Sequence, residues 1–151
     1  MEFLNDPQIK MVFQLLLAAL LGGLIGLERE TQKKEAGLRT YTLVSLGAAL
    51  FTSISFHVFS LFANETGVNF DPARIIGQIV LGVGFLGAGM IIFRGSHIEG
   101  LTTAAGLWIV AAIGCAVAAG LYFQAAFTTF LTLLILAGLK LVEKKVFHKE
   151  E

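Results

Sequence analysis

The chain has 151 residues, a formal net charge of zero, 56% apolar residues and 15% charged residues. Soluble domains carry about 25% charged residues, and the charges here are clustered between long uncharged runs, so the composition excludes an ordinary soluble domain. The balanced charge gives no bulk attraction for nucleic acid, and we expect no nucleic-acid partner. Cys115 is the only cysteine, so no intrachain disulfide can form, and its apolar surroundings predict a buried, unreactive thiol.

Four charge-poor stretches predict the membrane-spanning segments. Residues 11–27, 40–64 and 75–93 are each about as long as one crossing, for which a helix needs about 20 residues. Residues 100–139 are twice that length, and Gly120 at their middle predicts a tight turn between two helices. The sequence therefore predicts an all-α, five-helix transmembrane bundle in a single domain. The predicted helices cover residues 9–28, 39–62, 72–93, 100–119 and 122–143.

The first helix is expected to remain as a membrane anchor. The segment before it carries Glu2 and Asp6 and no basic residue before Lys10, which is the opposite of a signal peptide. Five spans place nine Lys and Arg residues on one side of the membrane and only Lys10 and Arg74 on the other. The positive-inside rule then predicts an outside N-terminus and a cytoplasmic C-terminus. The nine are Arg29, Lys33, Lys34, Arg39, Arg94, Lys140, Lys144, Lys145 and Lys149.

The third helix contains the G-x-G-x-x-G motif of dinucleotide-binding turns, within GVGFLGAG. A phosphate-binding turn must follow a strand and be accessible to water, whereas this one lies in a long uncharged run. A helix-packing role is therefore favoured over nucleotide binding. On a helical plot of the third helix, small and polar residues occupy one half and bulky apolar residues occupy the other. Gly87 is the exception, because it is a small residue on the bulky half. We interpret the small residues as a helix-packing face, with the bulky half toward lipid. That face contains Gly77, Gly82, Gly84, Ala88 and Gly89, and Gly87 on the other half is also predicted to pack against a helix.

Other helices repeat this pattern of small residues. Gly22 and Gly26 are four residues apart in the first helix, and Ala112, Ala116 and Gly120 follow the same spacing in the fourth. So much small surface could pack helices within the chain, line a narrow cavity or bury a dimer interface. The expected assembly is a homodimer in the lipid bilayer.

Polar residues near the predicted outer surface are the first functional candidates. Asp71 precedes Pro72 and fits the start of the third helix as a cap. Arg74 and Gln78 lie one turn apart on the small face, where intramembrane polar groups often mark function, although Arg74 could also anchor the helix at the interface. His57 could join Asp71 and Arg74, but a solvated or capping histidine is favoured.

A second candidate group lies on the predicted cytoplasmic side. Glu28 ends the first helix and Arg39 begins the second after a short loop, so an ion pair between them is expected. The loop between them also fits a basic segment that fixes topology and contacts anionic lipid. Thr102 and Thr103 begin the fourth helix on the same side, where their hydroxyls could bond to the backbone or form a polar floor under the bundle.

No catalytic grouping and no convincing metal cage occurs in the sequence. There is no nucleophile–base set, no H-E-x-x-H and no P-loop, and the carboxylates are scattered. We therefore expect no enzyme activity, no cofactor and no dedicated metal site.

Four segments together resemble the MgtC/SapB family of bacterial membrane proteins. They are GGLIGLERE, AGLRTYTLVSLGAAL, DPARIIGQIVLGVGFLGAGMII and GLTTAAGLWIVAAIG, and the resemblance runs from about Leu16 to Ala125. The functional candidates Glu28, Arg39, Asp71, Arg74, Gln78 and the 82–89 glycines occupy motif positions. Family members such as the namesake carry a soluble C-terminal domain after the fifth helix, whereas the present sequence ends at KLVEKKVFHKEE.

The resemblance implies a multi-pass protein of the bacterial plasma membrane with the topology predicted above. Family members are associated with growth in low magnesium and, in pathogens, with survival inside macrophages. The resemblance therefore favours a regulatory factor that acts under magnesium or acid stress through a membrane partner such as the rotary ATP synthase. The alternative is a small transporter or channel lined by Arg74, Gln78, Glu28 and Arg39.

Overall fold

Five long helices and one short hairpin make up the chain in a computed structural model. The structure describes residues 6–62 and 71–147, and it describes side chains as far as Leu139. The side chains of Lys140, Lys144, Lys145 and Lys149, which enter the charge count, lie outside this part. The elements are α1 (Pro7–Thr31), α2 (Leu38–Phe62), α3 (Pro72–Met90), β1 (Ile92–Arg94), β2 (His97–Glu99), α4 (Leu101–Ala118) and α5 (Tyr122–Phe147).

Local sequence signals explain several helix ends. The Asp6 and Asp71 side chains accept hydrogen bonds from the second backbone N–H that follows each of them, at 2.8 and 2.9 Å. A proline occupies the first position of both helices, where its missing N–H costs nothing. Gly120, with φ +79°, provides the left-handed residue that ends α4. The predicted turn between α4 and α5 is thus confirmed.

The predicted third helix ends too late, because residues 92–99 form a β-hairpin. Ile92 pairs with Glu99 and Arg94 with His97, which leaves Gly95 and Ser96 as a two-residue turn. Gly95 has φ +60°, as such a turn requires. An ion pair of 3.2 Å between Arg94 Nε and Glu99 Oε2 closes the hairpin. The apolar run continues into β1, and hydropathy alone therefore did not reveal the end of α3.

All five helices are long and apolar enough to cross a membrane, and the fold class is confirmed. The loop after α1 and the start of α4 are on the same side, because Arg29 at the end of α1 contacts Thr103 of α4. Which of the two sides is cytoplasmic stays a prediction from the Lys and Arg count.

The core lies where α1, α2 and α4 pack around Tyr41. This side chain is fully buried. A Cβ at Gly26 of α1 would lie 2.8 Å from the Leu38 Cα and 2.9 Å from the Tyr41 Cβ, and one at Gly106 of α4 would collide with the Tyr41 hydroxyl. A Cβ at Gly114 would collide with the carbonyl oxygen of Ser45 in α2. The three backbones can therefore approach this closely only because these positions lack side chains.

Two glycine-to-alanine substitutions distinguish the effect of close packing on stability from the effect of helix propensity. Gly26→Ala should destabilise the chain by roughly 1–3 kcal/mol, the usual cost of overpacking a filled core. Gly77→Ala should be neutral or stabilising by up to about 1 kcal/mol, since a Cβ there meets nothing within 4 Å and alanine is the better helix former. Thermal unfolding in detergent measures both. Equal destabilisation by the two substitutions would contradict the assignment.

Candidate functional site

A buried polar cluster lies where the end of α1, the following loop and the starts of α2 and α4 meet. It consists of Glu28, Arg29, Glu35, Tyr41 and Thr103, and we call it the junction cluster. The Arg29 side chain is only 5% exposed and that of Glu28 only 13% exposed. Burying an arginine to this degree requires partners, because an isolated charge in a low-dielectric interior is very unfavourable.

Thr103 connects the other members of the junction cluster. Its hydroxyl accepts a hydrogen bond from Arg29 Nη2 at 3.3 Å and donates one to Glu35 Oε2 at 2.9 Å. Its carbonyl oxygen accepts the Tyr41 hydroxyl at 3.1 Å. One residue near the start of α4 therefore ties together α1, α2 and the loop between them.

The loop carboxylate Glu35 is held in its ionised form. Hydrogen bonds from its own backbone and from the Thr103 hydroxyl lower the pKa of Glu35 below its ordinary value, with smaller contributions from Lys34 and Arg29. Glu35 is therefore a charged acceptor at neutral pH, at the exposed rim of the cluster.

Glu28 and Arg29 are the members of the cluster whose bonding the described chain leaves incomplete. Both carboxylate oxygens of Glu28 are buried without a hydrogen-bond partner among the described residues, as is Arg29 Nε. The described cation nearest to Glu28 is Arg29, with Nη1 3.8 Å from Oε2, which is beyond normal hydrogen-bond distance. The cluster thus contains one carboxylate that is satisfied and one that is not.

A second polar contact lies at the opposite end of the core. Gln14 of α1 is buried, and its Nε2 lies 3.1 Å from the carbonyl oxygens of Val117 and Ala118 and 3.1 Å from the Tyr122 hydroxyl. The last carbonyls of a helix lack partners within it, so Gln14 satisfies the end of α4 and ties α1 to α5. This role is structural.

Four glycine positions of α3 make no close contact with the rest of the described chain. A Cβ at Gly77, Gly82, Gly84 or Gly89 would meet nothing within 4 Å, whereas Val83 and Gly87 are buried. A Cβ at Gly87 would lie 3.5 Å from the Cβ of Ala104 in α4. The glycine positions are thus open while the opposite side of the helix packs.

A groove with a volume of about 590 Å³ separates α3 from α2. Its walls are apolar apart from Gln78, with side chains such as Leu43 and Phe51 on α2 and Ile79 and Val83 on α3. Gln78 and Arg74 are both exposed, and neither makes a hydrogen bond or ion pair within the described part of the chain. The outward side of α3 therefore combines open glycine positions with an uncommitted amide.

Comparison with known proteins identifies the family. A model of the MgtC family matches residues 15–145, which is most of the chain. The chain belongs to the MgtC family. The resemblance drawn from the four sequence segments is thereby confirmed, and the protein is a multi-pass membrane protein of that family.

Relatives in three bacteria show how far the similarity extends. The chain is 43% identical over 138 residues to the putative magnesium transporter YhiD of Escherichia coli, covering 91% of this chain and 60% of the relative. It is 46% identical over 123 residues to Protein MgtC of Brucella abortus, covering 82% and 48%. It is 40% identical over 142 residues to Protein SrpB of Synechococcus elongatus, covering 87% and 76%. The first two relatives are thus matched over less than two thirds of their length. No solved structure matches the chain.

The predicted cytoplasmic group is only partly brought together. Glu28 and Thr103 lie in the junction cluster, but Arg39 and Thr102 are exposed. The predicted ion pair between Glu28 and Arg39 is wrong, because the described cation nearest to Glu28 is Arg29. Arg39 lies in the first turn of α2 and remains at the surface.

Three members of the junction cluster were missed by the sequence reasoning. Arg29 had been counted only as a loop cation, yet it follows Gly22 by seven residues and Gly26 by three. That spacing places it on the packing face of α1 and could have revealed it. Glu35 and Tyr41 carried no comparable signal, because their roles depend on a contact with Thr103 more than 60 residues away.

The outer group predicted from sequence does not form a cluster. Asp71 caps α3, as the structural alternative proposed. His57, Asp71 and Arg74 are all exposed and share no hydrogen bond or ion pair among the residues that the structure describes. The start of α3 is instead tied to α2 by Ser55, whose hydroxyl donates to the Pro72 carbonyl oxygen at 3.1 Å.

The packing role predicted for the small residues is corrected in three places. Gly22 and Gly26 pack within the chain, but the open positions of α3 do not, and the expectation that its bulky half faces lipid is wrong for the buried Val83. Ala88 is exposed. In α4, Ala112 is exposed, and Gly106 and Gly114 make the close contacts that the sequence reasoning assigned to Ala112, Ala116 and Gly120. Lipid and a protein core are equally apolar, so hydropathy does not distinguish them.

No group of three or more His, Cys, Asp or Glu residues is placed to hold a metal ion in residues 6–62 and 71–139. The described carboxylates meet in no more than a pair.

Adjacent threonines provide a matched test of the junction cluster. Thr103→Val should destabilise the chain by about 1–3 kcal/mol, because it leaves buried partners of the hydroxyl unsatisfied. Thr102→Val should be within about 0.5 kcal/mol of the wild type, as expected of a surface substitution. Thermal unfolding in detergent or nanodiscs checks both. A Thr103→Val variant as stable as Thr102→Val would show that the network contributes nothing to folding.

Proposed function

We propose that the chain is a regulatory protein of the bacterial plasma membrane that acts in adaptation to low magnesium or acid stress by binding a membrane partner. Membership of the MgtC family supports the link to magnesium, as do relatives named Protein MgtC and putative magnesium transporter YhiD. The regulatory role and the partner are our inference from the surface described next.

The observation that carries the proposal is the open face of α3. Gly77, Gly82, Gly84 and Gly89 leave gaps on this surface beside the exposed side chains of Leu81 and Phe85. Gln78 lies exposed on the same helix. A primary amide directed into hydrocarbon is costly unless it finds a hydrogen-bond partner. Small residues with one amide form the kind of surface against which another transmembrane helix packs.

The packing of the core also favours partner binding over transport through one chain. The buried Ser45 hydroxyl donates to the Ala18 carbonyl oxygen at 2.8 Å, and Gln14 is committed to the end of α4. Between these groups and the junction cluster lie Ile25 and Leu107, which are almost fully buried. Ser45 and Gln14 therefore serve backbone atoms, whereas the buried hydroxyls of Thr52 and Ser53 have no hydrogen-bond partner among the described residues.

The partner is proposed to be a second copy of the chain, with the ATP synthase as a further target. Two copies inserted in the same orientation bring Gln78 to the same depth. Their amides can then bond to each other, because each amide has both donors and an acceptor. This arrangement would satisfy Gln78 without another protein.

A small transporter is the second candidate, and one observation favours it. Arg74 and Gln78 are exposed one turn apart, so two copies meeting along α3 could line a polar pathway between them. An assay of ion and solute flux into liposomes containing the purified protein tests this alternative. If the wild type shows flux and Gln78→Leu abolishes it, the transporter proposal would replace the regulatory one.

Variants on α3 test the proposed surface. Gly84→Leu and Gln78→Leu should fold normally, lose association between copies and fail to complement a deletion strain in low magnesium, because a bulky or purely apolar side chain disrupts close packing of helices. Ala112→Leu, on an exposed part of α4, is the control and should complement. Complementation by Gly84→Leu at the wild-type level would refute the proposed surface.

A further inference from the structure

The groove between α2 and α3 adjoins the open glycine surface of α3. Both helices pack against α4, and the Ser55 hydroxyl joins them near the start of α3 by its bond to the Pro72 carbonyl oxygen. Beyond this contact they leave a space of about 590 Å³ between them. Gly47 on α2 and Gly82 on α3 contribute to this space, because a Cβ at either position would meet nothing within 4 Å.

The dimensions of the groove match one hydrocarbon chain from one leaflet of the membrane. The lining follows α3 from Ile75 to Leu86, which is about 16 Å at the rise of an α-helix. One leaflet contributes about 15 Å, half of the hydrocarbon core. A helix with its side chains, roughly 10 Å across, would fill on the order of 1,250 Å³ over that length. The groove is too small to enclose a helix, whereas an extended hydrocarbon chain is much thinner.

An uncommitted cation lies at the end of the groove where α3 begins. Arg74 directly precedes the lining residue Ile75 and lies one turn from Gln78, the polar residue of the lining. Its side chain is exposed and makes no hydrogen bond or ion pair within the described part of the chain, and the nearby Asp71 carboxylate caps α3. A guanidinium group presents N–H donors in a planar fork that fits phosphate oxygens. The groove thus combines an apolar channel with a group suited to phosphate.

We propose that this groove binds a membrane phospholipid with a negatively charged headgroup. One acyl chain lies between α2 and α3, and Arg74 binds the phosphate. A zwitterionic phospholipid fits less well, because its ammonium group carries a charge of the same sign as Arg74. The ester carbonyls of a phospholipid lie between its phosphate and its chains, at the depth of Gln78, whose amide donates to one of them. Gln78 also lines the hollow beside Gly84, and its two N–H donors leave one for the second copy proposed above.

Lipid binding is independent of the proposed regulatory function, and its test needs only the purified chain in detergent. The protein is titrated with dioleoyl phosphatidylglycerol or dioleoyl phosphatidylcholine, which carry the same acyl chains and differ in net charge. Native mass spectrometry counts the lipids retained by each chain, and thermal unfolding is measured in parallel. The wild type should retain phosphatidylglycerol with about fivefold higher affinity, as the repulsion of one like charge in a water-exposed site implies, and should unfold at a higher temperature in its presence.

Variants separate the groove from the headgroup contact. Gly47→Leu fills the groove from α2, where a Cβ meets nothing within 4 Å and leucine is the better helix former. It should fold and retain both lipids at least about tenfold more weakly, because the acyl chain loses its packing contacts. Arg74→Gln should remove the preference for phosphatidylglycerol, and Arg74→Lys should restore it by restoring the charge. Gly84→Leu, outside the groove lining, is the control and should retain lipid as the wild type does.

Four outcomes would overturn the lipid site. The first two are equal retention of both lipids by the wild type and undiminished retention by Gly47→Leu. The third is a Gly47→Leu variant that keeps the lipid and loses association between copies, which would assign the groove to a second copy of the chain. The fourth is stabilisation by glycerol phosphate equal to that by the lipid, which would assign Arg74 to a soluble phosphate compound. Normal growth with Gly84→Leu, with lipid binding intact, would instead refute only the proposed partner surface.

Discussion

The structure depends on how closely the backbones of α1, α2 and α4 approach one another. In a membrane, helices gain little from burying apolar surface against each other, because lipid tails are equally apolar, so packing contacts and hydrogen bonds must hold them together. Glycines at positions 22, 26, 106 and 114 allow that approach. The Tyr41 side chain lies against Gly26 and Gly106, and Ser45 lies against Gly22 and Gly114. Ser45 adds a hydrogen bond to the Ala18 carbonyl oxygen that is possible only at this separation.

The same close approach creates the junction cluster. Because α1 and α4 pack tightly, the last turn of α1 delivers Arg29 to the first turn of α4, where Thr103 is buried. The loop between α1 and α2 then folds back so that Glu35 reaches the same hydroxyl. Arg29 can be buried because neighbouring elements supply partners for its charge. Glu28 is buried beside it, but its carboxylate oxygens lack hydrogen-bond partners among the described residues.

Sequence reasoning succeeded where the signal was the length and charge of a segment. The five helices follow from the spacing of charges, the turn at Gly120 from a single glycine, and the family from four segments. It failed where the prediction depended on which face of a helix packs against the other helices. The orientation of α3 was inferred from a contrast between small and bulky residues, but the bulky side at Val83 packs inward while the glycines at 77 and 84 are open. Arg29 was overlooked because a basic residue at a helix end also serves to orient the protein in the membrane.

The central claim is that one set of glycines builds the chain and another set, on α3, serves a second copy. Disulfide cross-linking in native membranes tests it directly, with single cysteines placed on a Cys115→Ala background. A cysteine at position 77 or 84 should link two copies of the chain, whereas one at position 112 should not, because residues facing a two-fold axis lie close to their symmetry mates. Cross-linking at position 112 with none at 77 or 84 would contradict the account and assign the contact between copies to α4.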